Sequence, residues 1–195
     1  MRVIAGAAKG RALRALRGRS VRPTAGRVRE ALFSIVLSRF DLKGATILDL
    51  FAGTGAVGIE ALSRGAGRAV FVEQDIDARR VLRANLSACG FVDRAEILQM
   101  PVSSSLLRLE RARAHFDAVF VDPPYGRDLA NATLAKLAET PLLGLGAWVM
   151  VEHHVEDRLA ARYGTLCLTL TRRYGKTSLS LYSTETTSRS PAEIK

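Results

Sequence analysis

The sequence predicts an α/β protein: a doubly wound, Rossmann-like, seven-stranded, mostly parallel sheet with an antiparallel last strand, plus a small N-terminal β-hairpin and helix extension. Three observations carry this expectation. From Ala45 onward short apolar runs alternate with helical stretches, the rhythm of βαβ units. The first apolar run leads directly into a glycine-rich turn, Ala52-Gly53-Thr54-Gly55-Ala56-Val57-Gly58. The last two runs are joined by Arg172-Arg173-Tyr174-Gly175-Lys176, which is too short for a crossover helix and makes them antiparallel.

Taken in order, Val3-Ile4-Ala5 and Ala12-Leu13-Arg14 flank a loop with glycines at 6 and 10, a short hairpin. Arg22-Pro23-Thr24 reads as an extended lead-in. Val28, Leu32, Ile35, Val36 and Phe40 then recur at helical spacing from Gly26 to Arg39. Strands are expected at Thr46–Leu50, Ala69–Val72, Ala95–Leu98, Ala118–Val121, Ala147–Glu152, Leu166–Thr171 and Ser178–Tyr182. Helices are expected at Val57–Arg64, Ile76–Ala88, Ser104–Ala112 and Leu129–Glu139, with a further short one near Val155–Arg162. Ser103-Ser104-Ser105 is the expected cap of the fourth helical stretch. The expected division is a basic extension over 1–44, a catalytic domain over 45–183 and a polar, disordered tail over 184–195.

A chain of 195 residues, 48% of them hydrophobic, is long enough for one domain with a sizeable core. No apolar run would span a bilayer, and no signal-peptide core is present, so a cytoplasmic protein is expected. Cys89 and Cys167 read as free thiols, and no metal-ligand spacing is seen. The net charge of +10 is unevenly placed. Residues 1–29 hold Arg2, Lys9, Arg11, Arg14, Arg17, Arg19, Arg22, Arg27 and Arg29 and no acid, while the rest holds 20 basic against 19 acidic residues. Such a block is either a solvated arm or a footprint for a polyanion. Its arginine content favours the polyanion, because guanidinium pairs with phosphate as a fork.

Gly53, Gly55 and Gly58 fit GxGxxG between a strand and a helix, a weak signal alone. Glu73 ends the second strand, where an acid accepts hydrogen bonds from ribose hydroxyls. Asp49 discriminates between cofactors. An acid just before the glycine turn repels a pyrophosphate and attracts a cationic amino-acid end. S-adenosylmethionine, with an ammonium, a sulfonium and a ribose diol, fits better than a nicotinamide dinucleotide.

Asp122-Pro123-Pro124-Tyr125 follows the apolar run Ala118-Val119-Phe120-Val121. In a doubly wound sheet the carboxyl edge is where ligands bind. An exocyclic base amine is a poor nucleophile because its lone pair is delocalised into the ring. The Asp122 carboxylate and the Pro123 carbonyl provide two acceptors for its hydrogens, and the prolines stiffen that geometry. Tyr125 can stack on a flat base. The target base must be flipped or already unpaired.

Several blocks together resemble one family. They are Arg2-Val3-Ile4-Ala5-Gly6, Arg22-Pro23-Thr24, Arg27-Val28-Arg29-Glu30-Ala31-Leu32-Phe33, Leu48-Asp49-Leu50-Phe51-Ala52-Gly53-Thr54-Gly55, Asp122-Pro123-Pro124-Tyr125 and Tyr174-Gly175-Lys176-Thr177. The sequence resembles class I S-adenosylmethionine-dependent methyltransferases, and within them the RsmD family, which modifies guanine N2 of small-subunit ribosomal RNA. The resemblance implies catalytic roles for Asp122, Pro123 and Tyr125. It implies cofactor contacts from Asp49, Phe51, Ala52, Gly53, Thr54, Gly55, Glu73, Gln74 and Met100. It implies RNA contacts from Arg22, Thr24, Arg27, Arg29, Arg173 and Lys176; on spacing alone, the 172–176 loop is nearly as well read as a solvated hairpin tip. The expected partner is 16S ribosomal RNA, within the small subunit or an assembly intermediate, and the expected state is a monomer. One stretch departs from the pattern. Gln99-Met100-Pro101-Val102 carries no acid where such enzymes commonly contact the adenine amino group, so backbone groups and an apolar clamp including Met100 are expected there.

His153 and His154 are expected to be structural or surface residues, and Trp148 a core residue. The rival readings are a DNA amino-methyltransferase acting on adenine N6 or cytosine N4, and a non-catalytic nucleic-acid-binding domain on the same fold. A nicotinamide-dependent oxidoreductase is more distant.

Overall fold

The computed structural model describes residues 1–16, 23–124 and 128–184, and side chains within these except for 23–25. The element order is α1 (Pro23–Leu37), β1 (Thr46–Leu50), α2 (Ala56–Ser63), β2 (Arg68–Val72), α3 (Ile76–Cys89), β3 (Ala95–Leu98), α4 (Val102–Arg111), β4 (Phe116–Val121), α5 (Leu129–Ala138), β5 (Leu143–His154), β6 (Arg162–Tyr163), β7 (Leu166–Tyr174) and β8 (Thr177–Thr184). They form one eight-stranded sheet in the order β3-β2-β1-β4-β5-β8-β7-β6. The strands from β3 to β5 are parallel, and β8 is antiparallel to both β5 and β7. Among the described residues no helix is long and apolar enough to cross a membrane.

Side chains alternate between the two sheet faces. Ile47, Phe71, Phe120, Trp148 and Met150 point to one core, which α1, α2 and α3 cover through Phe33, Ile59 and Leu82. Leu48, Val70, Val119 and Val149 point to the other, which α4 and α5 cover through Leu106 and Leu134. Phe40 stacks on Trp148, which is level with Ala118, while Phe33 meets Phe120, closer to the carboxyl end of β4. The N-terminal end of α1 is therefore directed toward the carboxyl edge of the sheet.

The N-terminal hairpin is held by one antiparallel bridge, Arg2 to Ala12, rather than by full strands. It docks on α2. Glu60, fully buried, accepts from the amides of Ile4 (2.8 Å) and Ala5 (3.0 Å) and from Arg64 Nε (2.7 Å). The Ser63 hydroxyl donates to the Ala5 carbonyl and accepts from the Ala8 amide. Contact is so close that a Cβ at Gly6 would lie 1.8 Å from the Ser63 carbonyl oxygen, and Gly6 has a φ of +81°.

Four expectations need correction. The stretch from Pro23 is helical rather than extended, because proline's fixed φ suits the first turn of a helix. No helix spans Val155–Arg162. The His154 amide donates to the Asp157 carboxylate, Asn131 Nδ2 to the Arg158 carbonyl and the Tyr182 hydroxyl to the Ala160 carbonyl, which fixes an irregular turn leading into β6. Among the described residues the sheet consequently has eight strands, not seven. The serine run does not cap α4: the helix starts at Val102 behind Pro101, and Ser105 is buried with its hydroxyl donating to the Val102 carbonyl. Residues 185–195 of the expected tail lie outside the described residues.

Removing the Glu60 carboxylate leaves two amides and Arg64 Nε without their acceptor and the buried Arg29 without its nearby opposite charge. Glu60→Ala is expected to cost about 3–5 kcal/mol in denaturant unfolding. A loss below about 1 kcal/mol would contradict this role for Glu60.

Candidate active site

Parallel pairing sets Leu50, Val72 and Val121 level with one another, with Leu98 level with Val72 and Val151 level with Val121. The segments after these residues therefore emerge together at the carboxyl edge. They carry Phe51 to Gly55, Glu73 and Gln74, Met100, Asp122 and Pro123, and Glu152. Asp49, Glu73, Asp122 and Glu152 share the parity of Phe71, Phe120 and Met150, so all of them belong to the face covered by α1 and α2.

The glycine turn is shaped by backbone requirements. Phe51 holds a φ of +63°, unusual for a side chain with a Cβ. Gly55 caps α2 at a φ of +81°, and a Cβ there would meet Leu82 at 2.2 Å. At Gly58 a Cβ would strike the Phe71 ring at 2.3 Å, so this third glycine lets α2 lie close on the sheet. The Glu73 carboxylate accepts from the Gly53 amide (2.7 Å) and from the Asp75 amide (2.7 Å), tying the β1 and β2 loops together. Each of its oxygens keeps a lone pair for a further donor.

Asp49 is buried, and its carboxylate accepts from the Gly58 amide at 2.9 Å, in the first turn of α2. Burial pushes its carboxyl up to about 7, against the pull of the Gly58 amide, and the charge of Glu73 adds to the rise. Asp122 keeps an exposed surface, but its carboxyl is packed closely enough to lose solvation. That desolvation, followed by the charges of Glu152 and Asp49, holds its carboxyl well above the usual carboxylate range. Pro123 is buried behind it. The edge is thus crowded with acids that repel further negative charge and that a cation would relieve.

The expected RNA contacts separate into groups. Arg27 is exposed on the first turns of α1. Arg173 and Lys176 are exposed at the β7–β8 tip. This tip flanks the end of β5, since His154 pairs with Thr177 and the Val155 amide donates to the Lys176 carbonyl at 2.9 Å. Arg29 is placed otherwise than expected. It is buried, donates to the Arg2 carbonyl at 2.6 Å and lies 4.0 Å from Glu60, so it anchors the hairpin instead of meeting a phosphate. Arg22 and Tyr125 lie outside the described residues, and Thr24 sits in α1 with its side chain outside them.

Sequence reasoning missed three residues. Glu152 follows an apolar run as Glu73 and Asp122 do, and that signal was available. Ile76 is 57% exposed at the start of α3, an apolar surface just after Glu73 and Gln74. Asn85, buried in α3, bonds to the glycine turn through the Thr54 carbonyl, and no sequence pattern marks it.

A family model described as "Conserved hypothetical protein 95" matches residues 1–183. The Escherichia coli K12 protein named "Ribosomal RNA small subunit methyltransferase D" is 33% identical over 193 residues, covering 99% of this chain and 94% of its own. The chain belongs to the RsmD family of methyltransferases. A Haemophilus influenzae protein of the same name is 36% identical over 154 residues, 78% of each chain. A solved structure from Thermus thermophilus, described as a hypothetical protein, superposes with a TM-score of 0.80 at 34% identity, covering 94% of this chain and 99% of that one. RsmD membership agrees with the doubly wound sheet and its antiparallel final strands.

A carboxyl that holds its proton more tightly in the folded than in the unfolded chain stabilises the fold at low pH. That contribution is lost as the pH climbs from the ordinary 3.8 through about 7. Asp49→Asn should therefore gain stability relative to the wild type as unfolding is measured from about pH 4 to about pH 8. A difference that stays constant across this range would contradict the burial argument.

Proposed function

We propose that this RsmD-family chain is an S-adenosylmethionine-dependent methyltransferase that methylates the N2 amine of a guanine in 16S ribosomal RNA. The observation that carries the reading is the cluster of Asp49, Asp122 and Glu152 beside the glycine turn, an edge suited to a cationic cofactor and to an amine. The names of the relatives support ribosomal RNA of the small subunit as the substrate. The reading takes the RNA within the subunit or an assembly intermediate, in the cytoplasm, with the enzyme acting as a monomer.

The cofactor fits the donor set at this edge. Glu73 has lone pairs for a ribose diol, and the buried Asp49 carboxyl, which accepts from the Gly58 amide, would be drawn to its anion by a cationic amino-acid end. S-adenosylmethionine supplies a methyl group made electrophilic by sulfonium. Ile76 and Met100 offer apolar surface for adenine in place of an acid after β3.

The chain's own residues prepare the amine. Asp122 and the Pro123 carbonyl accept its two hydrogens, which draws the nitrogen lone pair out of conjugation with the ring. With the cofactor held at Asp49 and Glu73, its sulfonium would supply the methyl group to this nitrogen and keep the electron pair, and the nitrogen's proton would pass to Asp122 or water. Tyr125 stacks on the base in this reading. The basic tip and the N-terminal end of α1 grip phosphates on either side.

The test is transfer from tritiated S-adenosylmethionine to small ribosomal subunits from cells lacking this protein, followed by nucleoside identification. Label in N2-methylguanosine is expected; label only in DNA, or in no ribosomal nucleoside, would overturn the reading. Asp122→Ala should lower transfer by about 100-fold or more while changing cofactor affinity by less than about 3-fold. Arg27→Glu combined with Arg173→Glu should weaken RNA binding and flatten its salt dependence, with a change in slope of about 2. An unchanged slope would remove both residues from the interface.

A further inference from the structure

We propose that Asn85 is a positioning residue that couples the grip of the basic N-terminal arm on RNA to cofactor binding in the glycine turn. The inference rests on the reading of function given above.

Asn85 lies within α3 and is 1% exposed. A buried amide in a helix interior is costly unless every polar atom is paired, and asparagine is a mediocre helix former. Here the amide is paired entirely outside its own helix. Its Oδ1 accepts from the Arg14 amide at 2.8 Å, and its Nδ2 donates to the Arg14 carbonyl at 3.1 Å and to the Thr54 carbonyl at 2.9 Å. One side chain thus closes both backbone groups of Arg14 and one of the cofactor turn.

The chain of contacts runs on from both ends. On one side Leu13 is buried in the core, and Arg14 itself is exposed in the basic arm beside Arg11. On the other, Thr54 lies between Gly53, whose amide donates to Glu73, and Gly55, whose amide donates to the Ala52 carbonyl. Glu73 is the acid assigned to the ribose. A phosphate that restrains the arm at Arg14 therefore restrains the turn through Asn85, and a cofactor that restrains the turn restrains the arm. The ordering cost that one ligand meets is spared the other, and the coupling is reciprocal.

The experiment is calorimetry of S-adenosylhomocysteine binding to the full chain, with and without saturating small-subunit ribosomal RNA. In the wild type, RNA should tighten binding by about 5-fold or more. In Asn85→Ala the tightening should fall below about 2-fold while each ligand still binds alone. Asn85→Asp keeps the side-chain volume and the acceptor for the Arg14 amide but loses both donors, and it serves if the alanine variant does not fold. Hydrogen exchange on the wild type needs no variant: RNA should slow exchange at the Gly53 and Gly55 amides. Equal tightening in wild type and variants, no tightening in a wild type that binds both ligands, or unchanged exchange would overturn the inference. A wild type that binds neither ligand would instead overturn the functional reading beneath it.

Discussion

Parallel hydrogen bonding between β1 and its neighbours β2 and β4 forces Leu50, Val72 and Val121 to one level, and the site depends on that constraint. Strands that end together release their chains at one edge. Each chain turns there with a residue still in register, and alternation fixes which face that residue meets. Asp49, Glu73, Asp122 and Glu152 thus share a face without any contact that draws like charges together. Burial first, and then their mutual repulsion, raises the carboxyls of Asp49 and Asp122. The core holds these acids in place, since the strands beneath are apolar on both faces.

A second constraint lies away from the chemistry. Glu60 is a carboxylate with no exposed surface, and it stays buried because two amides and two arginines surround it. This knot attaches the N-terminal hairpin to α2, the helix whose first turn carries Gly58 over Asp49. The arm that bears most of the excess charge is therefore tied to the face of the sheet that carries Asp49. Arg29 shows the cost of reading charge from sequence alone: it belongs to the knot, whereas Arg27, two residues earlier, is exposed.

Local signals in the sequence located most of the sheet. Apolar runs bounded by turns marked β1 to β5, β7 and β8, although β5 extends well beyond Ala147–Glu152 at both ends. The glycine turn and Asp122 were legible because they follow such runs. The irregular 155–161 segment was not, because Val155 and Leu159 mimic helical spacing while the partners that hold the turn, Asn131 and Tyr182, are distant in sequence. Asn85 and Glu60 were hidden for the same reason: a polar residue in a helix looks exposed until its long-range partners are known.

The most direct measurement is a crystal structure of the chain with sinefungin, a cationic analogue of the cofactor, and a guanosine-containing oligonucleotide. The analogue's amino-acid end is expected over Gly53–Gly55 near Asp49, its ribose on Glu73, and the guanine N2 within hydrogen-bond distance of Asp122. An analogue bound away from the glycine turn, or a guanine amine turned away from Asp122, would contradict the roles assigned to these acids.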